Sequence, residues 1–462
     1  MPNDPVPGLL SRATEALEAE FAALPDFAPA LDGAADTEAM ARILEATAHR
    51  LGDNYPYFHP LYAGQMLKPP HPLARAAYAL AMKINPNNPA RDGGRASSEM
   101  EMEAVAGIAR MFGWTEFLGH LTSSGTLANL EALWVAGQLA PGTRIAGSGQ
   151  AHYTHARISA VLKLEYAEIA TDNRGRMSLE SLEAELRKGD VGAVVVTLGT
   201  TATGAVDPLD EVLRLRERYG FRVHVDAAYG GYFRLIPEAL EEPARRAFAA
   251  MGEADSIAID PHKHGLQPYG CGCVLFRDPA VGRFYKHDSP YTYFTSKELH
   301  LGEISLECSR AGASAVALWA TQQLLPLVPG GKFARGLARG RAAALQLDRR
   351  LRQDRTGWFQ ALAAGAPELD IVVWKMNAET PRRASELAHR VFVACAARDL
   401  HLALVELPLR WFRSPAAFQS GNREGGGLVA CLRSVLMKPE HEAWLDRIWE
   451  RLTAAGAEVM GE

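Results

Sequence analysis

Three short polar segments of this chain contain residue types that could do chemistry. Segment 122–129 places hydroxyl side chains and Gly125 in front of a helical pattern, and such helix N-termini bind phosphate through backbone N–H groups. The second segment ends an apolar strand in Asp226, where an unpaired carboxylate is unfavourable and needs a donor or a cation. The third contains His262 and Lys263 after another apolar strand, and a poorly hydrated lysine there is a candidate nucleophile.

Each segment also has an ordinary structural explanation. Serine and threonine cap helices without binding a ligand, a strand-end aspartate can be a cap, and a lysine in a turn is usually a surface residue. A fourth segment, 198–204, is only a polar turn by itself. Together, however, the segments supply what pyridoxal phosphate uses: an anion site for its phosphate, a carboxylate for its pyridine nitrogen and a lysine for its aldehyde. Their combination therefore predicts a site for this cofactor.

Alternation of short apolar runs with helical segments characterises residues 115–280. This pattern is typical of a mostly parallel sheet with helices on both faces, which binds ligands at the carboxyl ends of its strands. The predicted fold class is therefore α/β. The predicted strands are 117–121, 144–146, 193–197, 222–225, 256–259 and 273–276, and the predicted helices between them include 126–137, 178–187 and 208–219.

The flanking parts of the chain have different patterns. The first 50 residues have apolar residues at helical spacing, and Ser98 with Glu101 is typical of a capping box at a helix start. From about residue 330 the pattern becomes α+β, after Pro329-Gly-Gly. We predict an N-terminal helical segment and interface loop, a large cofactor-binding domain and a smaller C-terminal domain. Their predicted bounds are 1–75, 76–330 and 331–462.

Composition excludes several classes of protein. Hydrophobic residues make up 48% of the chain and charged residues 22%, ordinary values for a globular protein and unlike those of a disordered or fibrous chain. No apolar run reaches the roughly 18 residues of a membrane span. The net charge of −5 argues against nucleic acid as the main partner. The start lacks a signal-peptide pattern and the five cysteines lack metal-site spacing, so we expect reduced thiols, no metal and a cytoplasmic protein.

In this order the motifs resemble those of the group II pyridoxal-phosphate-dependent decarboxylases, the family of the glutamate, aromatic-amino-acid and tyrosine decarboxylases. The resemblance implies the aspartate aminotransferase-like fold (fold type I), an amino acid as substrate and a homodimer with shared active sites. It extends from about residue 55 to residue 440. The motifs that carry it are His59-Pro60, Thr122–Asn129, Gln150-Ala-His152, Leu198-Gly-Thr-Thr201, His224–Tyr229, Asp260-Pro-His262-Lys263 and Leu306–Ala313.

The resemblance also implies a role for each matched residue. Lys263 would form the Schiff base with the cofactor, Asp226 would pair with its pyridine nitrogen, and His152 would stack on the ring and orient the substrate carboxylate. Two positions depart from the family: Ser124 replaces a frequent glycine, and His264 follows the lysine instead of an aromatic or aliphatic residue. The other implied cofactor-binding residues are Ser124, Gly125, Thr126 and His262 near the phosphate, and Thr201 and Ala228 around the ring.

The sequence leaves two candidates for the proton donor and two classes of substrate. In the family a loop tyrosine returns a proton to the α-carbon, and Tyr291 and Tyr293 both suit that role, with aromatic packing at an interface as the alternative. Aromatic residues in segment 57–66 favour an aromatic substrate. The nearby cationic residues, which would suit an acidic substrate, are Lys68, Arg91 and Arg95.

Other activities with the same cofactor are compatible with these motifs. An aminotransferase needs an arginine for the α-carboxylate, and Arg310, Arg410 and Arg433 are candidates. A carbon–carbon lyase acting on phosphorylated amines is a further alternative. An oxygen-using decarboxylase that gives an aldehyde is expected where the loop tyrosine is lost, and this sequence retains tyrosines there.

Overall fold

Two β-sheets organise the chain, and they confirm the predicted α/β fold class. A seven-stranded sheet comes first in the sequence and a four-stranded sheet follows it. The computed structural model describes residues 4–27, 36–89, 93–286, 305–412 and 427–461.

The large sheet has a mainly parallel centre and an antiparallel strand near one edge. Its strands are β1 Leu118–Thr122, β2 Arg144–Ser148, β3 Tyr166–Ile169, β4 Val191–Thr197, β5 Arg222–Asp226, β6 Ser256–Ile259 and β7 Gly272–Phe276. Their order in the sheet is β1-β7-β6-β5-β4-β2-β3. Strands β2 to β6 pair in parallel, whereas β7 is antiparallel to both β1 and β6. The parallel strands therefore end at one common edge.

Helices cover this sheet on both sides, as the alternating pattern predicts. Their apolar faces pack on strands of valine, isoleucine and alanine that are almost wholly buried. The described α-helices up to the end of this part are α1 Val6–Glu20, α2 Thr37–Leu51, α3 Pro72–Met82, α4 Arg95–Met111, α5 Gly125–Leu139, α6 Thr154–Val161, α7 Leu179–Leu186, α8 Leu209–Tyr219, α9 Glu242–Ala249 and α10 Gly312–Leu324. None of the helices in the described ranges combines the length and apolarity needed to cross a bilayer.

The four-stranded sheet forms the smaller α+β part that the sequence predicts. It is antiparallel, with the order β10-β11-β9-β8, and a second apolar core around Trp374 and Leu432 joins it to its helices. Its strands are β8 Phe359–Ala361, β9 Ile371–Met376, β10 Ala403–Pro408 and β11 Leu428–Val435, and its helices are α11 Lys332–Gln353, α12 Pro381–Ala396 and α13 His441–Gly461. Helix α11 begins directly after Gly330-Gly331, where we propose the division between the two larger domains.

The predicted capping box at Ser98 is wrong. Helix α4 begins earlier, at Arg95, so Ser98 lies within its first turn. The carboxylate of Glu101 serves a tertiary contact instead: its Oε1 lies 2.6 Å from Nη1 of Arg310 and also accepts the backbone N–H of Leu121 at 3.0 Å. Both charged side chains are buried, so this ion pair fixes α4 and the start of α10 to β1.

Replacing Arg310 with methionine is expected to destabilise the protein by about 3–5 kcal/mol, because it leaves the buried Glu101 carboxylate without its cationic partner. Urea unfolding followed by circular dichroism measures the loss. The matched control is Arg339→Met, which breaks a half-exposed pair with Glu442 and should lose no more than about 1 kcal/mol. Equal losses in the two variants would contradict this role, and adding Glu101→Gln to Arg310→Met should recover part of the loss.

Candidate active site

A cavity of about 210 Å³ lies at the carboxyl ends of the central strands. Segments that follow β1, β2, β4, β5 and β6 all contribute to its wall, so the sheet topology brings together motifs that are far apart in the sequence. Tyr291 and Tyr293 lie outside the described residues. The predicted cofactor-binding residues all line the cavity: Ser124, Gly125, Thr126, His152, Thr201, Asp226, Ala228, His262 and Lys263.

The N-terminus of α5 forms one end of this cavity. Ser124 is the N-cap, and its hydroxyl accepts the backbone N–H of Leu127 at 3.3 Å. A Cβ atom on Gly125 would lie 2.6 Å from the carboxylate oxygens of Asp260, so only glycine fits there. Gly125 and Thr126 both line the cavity, where the positive end of the helix dipole favours a phosphate group.

Lys263 lies just beyond β6, with its Nζ 3.1 Å from Oδ2 of Asp260. The imidazole of His262 is fixed by a hydrogen bond of 2.8 Å from its Nδ1 to the carbonyl oxygen of Cys271. Burial lowers the pKa of His262, so its ring is neutral near pH 7 and Nδ1 carries the proton. An amine, a carboxylate and a neutral imidazole are thus held together at this strand end.

Asp226 occupies the end of β5, and both of its carboxylate oxygens are engaged. Oδ1 accepts the backbone N–H of Ala228 at 3.1 Å, and Oδ2 lies 2.8 Å from Nε2 of His155. Burial alone would raise the pKa of Asp226, but the hydrogen bond from His155, together with the charge of Lys263, holds this pKa well below its usual range. Asp226 is therefore a carboxylate near neutral pH, the state needed beside a protonated pyridine nitrogen.

His155 is a site residue that the sequence interpretation missed. It lies in the first turn of α6 and its side chain is fully buried against Asp226. The available signal was its position three residues after His152, a spacing that can place two side chains of a helical turn near each other.

His152 lines the cavity as the resemblance implies. Its Nδ1 lies 2.6 Å from the hydroxyl of Thr154, and Tyr153 packs on its ring with centroids 4.4 Å apart. Burial lowers the pKa of His152, so a neutral imidazole faces the cavity near pH 7. A neutral ring of this kind can cover a planar aromatic ligand.

His264, the second departure from the family, does not line the cavity. It is buried, and its ring contacts those of Tyr229 and Phe233 at centroid distances of 4.6 and 5.1 Å. Tyr229 itself lines the cavity, so His264 supports the wall from behind.

The three arginines considered for an α-carboxylate have different surroundings. Arg310 is engaged by Glu101 and by the carbonyl oxygen of Leu121 at 2.7 Å, and Arg410 is not among the lining residues. Arg433, in β11, donates to the carbonyl oxygen of Thr201 at 2.8 Å. Of the three, Arg433 is the arginine that reaches the cavity wall.

The residues present fit pyridoxal phosphate. One cavity offers a helix N-terminus for an anion, a charged carboxylate and a lysine amine. Two buried polar atoms near this wall, Oδ1 of Asp260 and Oγ1 of Thr197, make no hydrogen bond within the described part of the chain. A polar ligand in the cavity would therefore find unused hydrogen-bonding groups.

Comparison with known proteins agrees with this geometry. Residues 135–327, which contain His152, Asp226 and Lys263, match the family model described as the pyridoxal-dependent decarboxylase conserved domain. A probable L-tyrosine/L-aspartate decarboxylase of Methanothermobacter thermautotrophicus is 31% identical over 333 residues, which cover 71% of this chain and 85% of that enzyme. This chain belongs to the pyridoxal-dependent decarboxylase family. The resemblance inferred from the motifs is thereby confirmed, and the cofactor of this family is pyridoxal phosphate.

Other relatives extend the comparison. The L-tyrosine decarboxylase of Enterococcus faecium is 28% identical over 396 residues, and the match covers 64% of this chain and 65% of that longer enzyme. Among solved structures, mouse CSAD in apo form has a TM-score of 0.76 at 21% identity, with 96% of this chain and 92% of that chain covered. Oryza sativa TDC with PLP and tryptamine has a TM-score of 0.75 at 18% identity, covering 100% and 99%. Both structures share the fold of this chain.

Proposed function

We propose that this protein removes the α-carboxyl group of an L-amino acid as CO₂ and releases the corresponding amine. The observation that carries the proposal is the single cavity in which Lys263, Asp226 and the N-terminus of α5 meet. The family supports the reaction class, because its relatives include L-tyrosine decarboxylases and the aspartate 1-decarboxylase of Aliivibrio fischeri, which is 32% identical over 227 residues.

The proposal assigns a role to each of the predicted site residues that lines the cavity. Bound pyridoxal phosphate supplies an electron sink for the carbanion that forms as CO₂ leaves. The amine of Lys263 would hold the aldehyde carbon of the cofactor, and Asp226 would keep a proton on the pyridine nitrogen. His152 covers the ring and helps to orient the substrate carboxylate. The phosphate group is held by Ser124, Gly125, Thr126 and His262, while Thr201 and Ala228 pack beside the ring.

The return of a proton to the α-carbon is assigned to Tyr291 or Tyr293, both of which belong to the undescribed part of the chain. The resemblance supports this assignment. Its consequence is an amine as product, because a proton donor at the α-carbon competes with reaction of that carbon with oxygen.

We propose an aromatic or an acidic amino acid as substrate. Tyr57 and Tyr62 pack edge to face, with centroids 4.9 Å apart, in the segment that leads to Gln65. Gln65 accepts a hydrogen bond of 2.5 Å from Arg433, which also contacts the cavity wall. Aromatic surface and a cation thus lie in one region, and the names of the relatives include both tyrosine and aspartate decarboxylases.

A cytoplasmic homodimer with shared active sites completes the proposal. Helices α1 and α2 bury no residue in the single chain, and Leu24, Ile43 and Leu44 are each more than 60% exposed. Exposed apolar surface of this kind is typical of a protein–protein contact. The five cysteines are free thiols, which suits a reducing compartment.

A product screen tests the function. Purified protein with pyridoxal phosphate is incubated with each L-amino acid, including sulfinates, and CO₂, amine, keto acid, aldehyde, ammonia and peroxide are measured. CO₂ in equal amount to amine is expected for at least one aromatic or acidic substrate. Keto acid without CO₂ would establish an aminotransferase, and aldehyde with ammonia or peroxide would establish an oxygen-using decarboxylase. Either of these outcomes would overturn the proposal.

A further inference from the structure

We propose that His155 is a positioning residue for the cofactor: its imidazole fixes the Asp226 carboxylate and keeps it charged, so that Asp226 pairs with the pyridine nitrogen down to low pH. The inference rests on the proposed function only in requiring that pyridoxal phosphate binds in this cavity. It concerns neither the substrate nor the proton donor.

The contact between the two side chains is direct. Nε2 of His155 lies 2.8 Å from Oδ2 of Asp226, and the backbone N–H of Ala228 holds Oδ1 at 3.1 Å. With one donor on each oxygen, rotation of the carboxylate about its side-chain bond would break a hydrogen bond at either end. A carboxylate can accept about four hydrogen bonds, so capacity remains for an N–H group of a ligand.

The surroundings of His155 determine which ring nitrogen carries the proton that is donated to Asp226. Its Nδ1 is buried and has no hydrogen-bond partner within the described part of the chain. A doubly protonated ring would leave an N–H group unpaired in the interior, which is unfavourable. The neutral ring with its proton on Nε2 avoids this, donates to Asp226 and leaves the full negative charge of the carboxylate for the cofactor.

Other titratable groups near the pair do not replace His155. His224, on β5, uses Nε2 for Asn129 Oδ1 at 2.7 Å and Nδ1 for Ser256 Oγ at 2.9 Å, and burial lowers its pKa to about 3. Burial also lowers the pKa of His152 and raises that of Tyr166, so both are neutral near pH 7.

The charged groups that remain near the pair are Lys263 and Asp260, which both follow β6. Lys263 follows β6 and its charge favours ionised Asp226, while its amine lies 3.1 Å from Asp260. Of His152, His155 and His224, only His155 donates to Asp226. Removing this donor should therefore raise the pH at which Asp226 takes up a proton.

The experiment compares four proteins as apoenzyme and as holoenzyme. His155→Leu removes the donor, and His155→Gln keeps an N–H group near the position of Nε2. Ser159→Ala controls for disturbed packing of the helix, because Ser159 is also buried on α6 and its hydroxyl makes no hydrogen bond to any residue that the structure describes. The fourth protein is the wild type. The readouts are the dissociation constant of pyridoxal phosphate and the visible absorbance of the bound cofactor as the pH is lowered.

His155→Leu is expected to weaken cofactor binding at least about tenfold, the effect of losing a hydrogen bond to a charged group. Its absorbance should change on acidification at a pH about one unit higher than in the wild type. His155→Gln and Ser159→Ala should stay within about threefold of the wild-type dissociation constant, since a donor is present in both.

Three results would overturn the inference. His155→Leu could match the wild type, His155→Gln could behave like His155→Leu, or Ser159→Ala could cause the same change as His155→Leu. A wild-type protein that binds no pyridoxal phosphate would overturn the proposed function and this inference together. If the cofactor binds and the variants behave as expected while no amino acid loses CO₂, only the proposed reaction fails.

Discussion

Replacing Lys263 with alanine is expected to lower turnover at least about a thousandfold, because the protein loses the amine that holds the cofactor and exchanges it with the substrate. The chain has ten lysines, and among those described Lys263 is the one that lines the cavity. The visible absorbance of the bound cofactor should disappear with the activity, and both are measured on the same sample. The matched control is Lys188→Ala, which removes a largely exposed lysine paired with Glu185 and should leave both readouts unchanged.

Chemical reduction gives an independent check of the same assignment. Borohydride makes the bond between cofactor and lysine permanent, and the modified peptide is then identified by mass spectrometry. The label is expected on Lys263 in the wild type. A label on another lysine, or full turnover in Lys263→Ala, would contradict this role.

Replacing Asp226 with asparagine is expected to lower turnover at least about a hundredfold. A carboxylate about 3 Å from a pyridinium nitrogen, at an effective dielectric constant near 20, contributes about 5–6 kcal/mol of attraction before desolvation. Asparagine has nearly the same shape but carries no charge, so the proton on the pyridine nitrogen loses this stabilisation. Steady-state kinetics should show the loss in kcat. The fold of the protein should change little.

A surface carboxylate provides the control for Asp226→Asn. Asp190 forms an ion pair with Arg144 and its side chain is half exposed, so Asp190→Asn should retain turnover within about twofold. Wild-type kcat in Asp226→Asn would show that the charge at this position is not needed. Turnover that is restored by Asp226→Glu would show that the charge matters more than the length of the side chain.

The predicted cofactor-binding residues line one cavity because each of their motifs lies at the end of a strand. Parallel strands end at one edge of a sheet, so Ser124, Asp226 and Lys263 meet once the strand order is set. Strand β3 was missed because it lies at the sheet edge and exposes Glu168, which interrupts the apolar run that marks the central strands.

The other errors come from partners that are distant in the chain. Glu101 fits a local capping pattern, but its partner Arg310 is 209 residues away. His155 lies in no recognised motif, and its partner Asp226 is 71 residues away. The sequence indicates that Asp226 needs a partner, but it does not show which residue that partner is, because only the fold brings the two together.

The hydrogen bonds between the two sheets affect the thermal unfolding of this protein. Arg433 of the small sheet holds the carbonyl oxygen of Thr201, and Asp370 beside β9 accepts the hydroxyl hydrogen of Tyr229 at 2.5 Å. Both Thr201 and Tyr229 line the cavity. The small sheet thus supports one wall of the cavity. A tightly bound cofactor would therefore stabilise both sheets, and we expect them to unfold together in a single cooperative transition at a higher temperature.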